Sequence, residues 1–216
     1  MKRLLILAAA VALASLQVAY AQEKKEAVPP DDPKLPRVLI IGDSISQEIM
    51  APLRTLLKDK ANVHHNPGNA NDTKNGVAKL KDWLGAGKWD VVHFNFGLND
   101  IKRSSGSLQV SLPDYEKNLR ALLKELKPTG AKIIWCNTTP APEGKLYHLR
   151  RNEDVIAYNA AAKKIMEENG VPINDLYAYT LPHLKDWQIP VNVHFTPAGS
   201  AKLAEKVAQE ILKALQ

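Results

Sequence analysis

From Arg37 onward the hydrophobic positions follow two alternating periods. Short aliphatic runs stand at 37–42 (RVLIIG), 61–65 (ANVHH), 90–97 (DVVHFNFG), 131–137 (AKIIWCN) and, more weakly, 171–175 (VPIND). Continuous apolar runs of this length, bounded by turn residues, predict buried strands. Helical spacing fills the gaps between them. The stretch 47–60 puts Ile49, Leu53, Leu56 and Leu57 on one face, and 73–85 turns Val77, Leu80 and Leu84 inward before Gly85 ends it. Two further helices cover 113–127, stopped at Pro128, and 152–170, closed by Gly170. A last one over 196–216 repeats Leu203, Val207, Ile211 and Leu215 every four residues. Strands alternating with helices predict an α/β domain whose parallel sheet is covered on both faces. In such sheets the functional loops lie beyond the carboxyl ends of the strands. That rule marks the loops after Gly42, His65, Phe96 and Cys136.

The residues ahead of Arg37 have a different composition. Lys2 and Arg3 precede an apolar, alanine-rich stretch that ends in Ala19, Tyr20 and Ala21. This layout predicts a signal peptide over 1–21, cut after Ala21, and hence a secreted or periplasmic protein. No cysteine lies near the cut to carry a lipid, and no later stretch is long and apolar enough to span a bilayer. Residues 22–36 are polar with four prolines and read as a disordered tether, leaving 37–216 as one domain. Cys136 is the only cysteine, so no intrachain disulfide can form. Without Lys2 and Arg3 the chain has 27 basic and 23 acidic residues, net +4. The basic residues are scattered among acidic ones along helical stretches, which describes a solvated surface and not a nucleic-acid footprint.

Four loops carry candidate chemistry. In "GDSIS", Gly42 permits a tight turn and Ser44 falls at the amino end of the following helix, where negative charge is favoured. The bland alternative is that Ser44 caps that helix. It is not the Gly-x-Ser-x-Gly elbow, because Ser46 stands where the second glycine would be. "NPGNANDT" brings Gly68, whose backbone can approach a ligand, unless it is an ordinary Pro-Gly turn. "GLND" brings the Asn99 amide, a possible donor to an oxygen or a plain turn residue. "VNVHFTPAG" places His194 two residues before a helix capped by Thr196 and opened by Pro197. The other histidines compete poorly. His64 and His65 lack metal-ligand spacing, His93 lies inside a strand, and His148 and His183 sit in polar loops.

Ser, Gly, Asn and His on four loops, in that order, resemble the SGNH (GDSL-type) hydrolases. The motifs are "GDS" at 42–44, Gly68, "GLND" at 97–100 and "VHFTPAG" at 193–199, and the resemblance spans roughly Arg37 to the end. It implies a flavodoxin-like three-layer α/β/α sandwich. It also implies roles: Ser44 as nucleophile, His194 as general base, and an oxyanion hole made by the N–H groups of Ser44 and Gly68 with the Asn99 amide. No metal or cofactor is implied. The substrate expected is an acyl ester, short acyl esters of carbohydrates foremost.

One position departs from the family. The pattern has an aspartate three residues before the histidine, and here that residue is Val191, flanked by Pro190 and Asn192. Three readings follow: a Ser-His dyad whose ring N–H meets a backbone carbonyl or water, a carboxylate from elsewhere such as Asp186, or a weakened site. The dyad is the expectation, and Asp186 reads as a solvated loop residue. The departure also feeds a rival from another class, a non-catalytic glycan-binding protein of the same fold. The loops 101–113 and 141–151 are expected to shape the pocket. Lys145, Arg150 and Arg151 there could meet an anion, though a solvated loop explains them as well.

Overall fold

Val38–Ile41 are fully buried, as expected of a strand covered on both faces. They form most of β1 (Arg37–Ile41) in a computed structural model that describes residues 30–104, 106–144 and 149–216. The expected signal peptide, most of the tether, Lys145 and His148 lie outside the described residues. Asp32–Gln216 form one compact unit.

After β1 come α1 (Ser44–Glu48), α2 (Met50–Leu56), β2 (Asn62–His65), α3 (Thr73–Leu84) and β3 (Val91–Phe94). A short hairpin follows, β4 (Arg103–Ser104) with β5 (Ser107–Leu108), then α4 (Leu112–Leu126), β6 (Lys132–Cys136), α5 (Asn152–Glu168) and β7 (Ile173–Asn174). Two short helices, α6 (Leu176–Thr180) and α7 (Leu184–Trp187), lead to α8 (Pro197–Leu215). The five long-range strands pair in parallel in the order β2-β1-β3-β6-β7. That is the flavodoxin-like order, with its switch point between β1 and β3. Helices α2 and α8 pack together on one side, and α3, α4 and α5 form a row on the other, giving an α/β/α sandwich. Among the described residues no helix is long and apolar enough to cross a membrane.

Four expectations need correction. The helix expected over 47–60 is two helices broken at Ile49. Pro52 cannot donate to the carbonyl of Glu48 four residues back, and its ring crowds that carbonyl. Leu56 and Val77, read as inward, are 37% and 44% exposed at the margins of their helical stripes. Residues 101–113 are not simply a loop, because they contain the β4–β5 hairpin. Order also begins before Arg37. The backbone of Asp32 exchanges hydrogen bonds with the Asn62 side chain, which also holds the Leu35 carbonyl. The end of the polar stretch 22–36 is thus tied to β2.

Candidate active site

Ser44 is the first residue of α1, and the cap of that helix is its neighbour. Asp43 Oδ1 accepts from the Ile45 N–H at 3.0 Å, so Ser44 is free of capping duty. Its Oγ lies 2.9 Å from His194 Nε2. The two residues are 150 positions apart in sequence, and both are part-buried.

The histidine loop is fixed at both ends. Gln188 and Phe195 form an antiparallel bridge, the Ile189 N–H donates to the His194 carbonyl, and Gln188 Nε2 donates to the carbonyls of Pro140 and Val193. The Asn192 N–H closes a turn onto the Ile189 carbonyl, with Pro190 and Val191 at its centre. Val191 takes φ +52°, the left-handed value that the third position of a type II turn requires. This turn brings Asn192 to the ring. Asn192 Oδ1 lies 2.9 Å from His194 Nδ1 and 3.1 Å from the His194 backbone nitrogen. A backbone N–H can only donate, so the amide atom facing it is the oxygen. Nδ1 must then carry a proton, and Nε2 presents its lone pair to the Ser44 hydroxyl. The acceptor expected as a backbone carbonyl or water is therefore a side-chain amide two residues before the histidine. Asp186 is exposed on α7, as a solvated residue should be. Val191, in the family's aspartate position, is 51% exposed.

The loop after β2 is clamped to the exit of β1. The Gly42 N–H donates to Asn66 Oδ1, Asn66 Nδ2 to the Gly68 carbonyl and the Ala70 N–H to the Gly42 carbonyl. Gly68, at φ +68°, makes the turn that this clamp needs. After β3, Gly97 sits at φ +147°, where a Cβ would run into Thr138 Oγ1, so the loop packs directly on the segment after β6. Asn99 follows. Its Nδ2 donates to Asp43 Oδ2 at 3.2 Å, and its Oδ1 accepts from Arg150 Nη2 at 3.3 Å. Arg150 also donates to the Leu98 carbonyl at 2.5 Å. It is therefore half-buried and grips the Asn99 loop, where the sequence suggested a solvated residue. Arg151 is exposed and pairs with Glu153.

Two carboxylates complete the surroundings. Burial pushes the Asp43 carboxyl above the usual range, against the lowering pull of the Ile45 N–H, Arg150 and His194. Glu48 is also raised, by burial first and by Asp43, with His194 and the Phe195 N–H pulling it down. Its Oε1 is 3.8 Å from His194 Nε2. Sequence reasoning passed over Asp43, Glu48 and Asn192 as functional residues. For Glu48 a signal existed: it stands four residues after Ser44, hence on the same helix face.

The next carboxylate, Asp100, is fully buried and structural. Its Oδ1 accepts from the Thr73 N–H at 2.9 Å and the Thr73 hydroxyl at 2.5 Å, tying the Asn99 loop to α3, while Oδ2 has no partner. The other described histidines lie outside this constellation. His93 is buried against Asn174, His65 is bonded to Ser46, and His183 stacks on Trp187.

A hydroxyl, an imidazole and an amide thus meet where loops from several strands converge. The model of the GDSL-like lipase/acylhydrolase family matches residues 40–202. The chain belongs to that family. This GDSL-family protein is accordingly a carboxylic ester hydrolase. It is 25% identical over 206 residues to a GDSL esterase/lipase from Arabidopsis thaliana, covering 81% of this chain and 85% of the plant protein. It is 24% identical over 191 residues to an arylesterase from Vibrio mimicus, covering 83% and 90%. In fold it is similar to an acetylxylan esterase from Geobacillus stearothermophilus, with a TM-score of 0.69, 23% identity, and 82% of this chain and 94% of that one covered.

Proposed function

We propose that this GDSL-family esterase is exported and hydrolyses short acyl esters, acetyl groups on carbohydrates foremost, through an acyl-enzyme on Ser44. The Ser44–His194 contact at 2.9 Å, with the ring oriented by Asn192, carries this reading. The Ser44 hydroxyl gives its proton to His194 Nε2 while Oγ attacks the ester carbonyl carbon. The carbonyl oxygen becomes an oxyanion facing the N–H groups of Ser44 and Gly68 and the Asn99 amide. Collapse expels the alcohol, which takes the proton from His194. Water, deprotonated by the same ring, then attacks the acyl-enzyme and releases the acid and free Ser44.

The family supports ester hydrolysis, and the fold shared with an acetylxylan esterase supports the short acyl group and the carbohydrate. The basic start and apolar stretch ahead of Ala21 support export. The test is labelling by a serine-directed fluorophosphonate, with acetate release from acetylated xylan measured alongside. Wild type is expected to be labelled and active, and Ser44→Ala to be neither. Equal labelling of both would remove Ser44 from the nucleophile role. Preference for long acyl chains over acetate on p-nitrophenyl esters would remove the short-acyl assignment.

A further inference from the structure

Asn192 settles which way the His194 ring points but brings no charge to it. When the ring takes the Ser44 proton it becomes a cation, and in serine hydrolases that cation is ordinarily met by a carboxylate at Nδ1. Here the carboxylate stands at the other edge. Glu48 lies one turn after Ser44 on α1, with Oε1 3.8 Å from Nε2. The backbone N–H of Phe195, the residue after the histidine, also favours the charged form of Glu48. Helix α1 therefore presents negative charge to the histidine loop through this side chain. Both side chains are about one-third exposed, at 32% and 35%. The interaction is thus only partly screened by water. The other charged groups in reach are Asp43, whose field acts on both His194 and Glu48, and Arg150, which opposes Asp43.

We infer that Glu48 is a positioning residue for the ester hydrolysis, its carboxylate standing beside His194 Nε2 and stabilising the imidazolium from the nucleophile's side. The inference rests on Ser44 and His194 being the nucleophile and its base. The attraction exists only while the ring is charged. It therefore favours the transition state over the bound ester and acts on turnover, not on substrate affinity. It also leaves the resting pair intact, since the Ser44 hydroxyl still occupies Nε2 at 2.9 Å.

Glu48→Gln tests this, because it keeps the size of the side chain while removing the charge. The substrate is neutral p-nitrophenyl acetate, assayed from pH 5 to 9, with fluorophosphonate labelling of Ser44 run on each protein. For Glu48→Gln, kcat is expected to fall roughly three- to tenfold at unchanged KM. The acid-side midpoint of kcat/KM should move down by about half to one pH unit, since losing an anion disfavours the imidazolium. Glu48→Asp, which keeps the charge, should restore part of both. In an Asn192→Asp background the loss from Glu48→Gln should shrink, because a carboxylate then faces the opposite ring nitrogen. Wild type that is active and labelled at Ser44, with a Glu48→Gln variant of unchanged kcat and midpoint, overturns the inference and leaves the nucleophile assignment standing. A fall in kcat with an unmoved midpoint, equal in both backgrounds, also overturns it, as a purely structural effect. Wild type unlabelled at Ser44 removes the nucleophile and the inference together.

Discussion

Asn192 Oδ1 accepts from both the ring and the backbone of His194, at 2.9 and 3.1 Å. This one oxygen sets the tautomer, and it is neutral. Asn192→Asp should therefore raise the acid-side midpoint of kcat/KM and increase kcat, because a carboxylate in the same place favours the imidazolium. Asn192→Ala frees the ring to take the wrong tautomer and should cost on the order of a hundredfold in kcat, less than the loss seen when a charged partner is neutralised. The pH profiles of both variants decide it. An Asn192→Ala enzyme with wild-type turnover would show that the ring needs no partner.

Asn99→Ala should fold as wild type and lose roughly a hundred- to a thousandfold in kcat, with KM little changed. Arg150→Ala should lose less, since it frees the Asn99 carbonyl and leaves the bond from Asn99 to Asp43 in place. Kinetics on p-nitrophenyl acetate with matched circular dichroism spectra check this. Full turnover in Asn99→Ala would make Asn99 a turn residue only.

Val191 is a β-branched residue at φ +52°, which costs on the order of 1–3 kcal/mol. Val191→Asn should raise the melting temperature, because asparagine tolerates that conformation and the site is half exposed. Val191→Asp should stabilise similarly while moving the pH midpoint less than Asn192→Asp does, because Asn192 already occupies Nδ1. Thermal melts show the first effect and kcat/KM against pH the second. A lower melting temperature in both variants would mean that loss of the valine side chain costs more than the strain it relieves.

Two buried groups act oppositely on stability as pH changes. Burial pushes the Asp100 carboxyl up to about 7 and the His93 ring down to about 4. The Asp100 contribution is full below its unfolded value of about 3.9 and is lost as pH rises through 7. The His93 contribution is full above about 6.5 and is lost as pH falls through 4. Between pH 4 and 7 the trends oppose each other. Asp100→Asn keeps an acceptor for Thr73 and removes one trend, so its melting temperature should exceed wild type at pH 8 and fall more steeply on acidification. Parallel melting curves from pH 4 to 8 would show that Asp100 does not titrate with folding.

The sheet was legible because parallel strands buried on both faces read as unbroken apolar runs, as Val38–Ile41 do. Ser44, Gly68, Asn99 and His194 were legible as a motif set, since the spacing of four loops along an α/β chain is a one-dimensional property. What surrounds them was not. Asn192 reaches the ring through a left-handed residue at Val191, and nothing in a β-branched side chain announces that conformation. Arg150 is gripped by the Leu98 carbonyl and the Asn99 side chain, partners some fifty residues away. The break at Ile49 was legible in principle from Pro52, but the apolar spacing across it looked continuous.

The 150 positions that separate His194 from Ser44 also set when the protein can first act. Every strand of the sheet and the docking of α8 must be complete before hydroxyl and imidazole meet. A nascent or half-refolded chain carries its nucleophile early and its base last, and is chemically silent until the end. Ester hydrolysis is thus a direct reporter of finished folding, and its recovery during refolding should coincide with the slowest step seen by any spectroscopic probe.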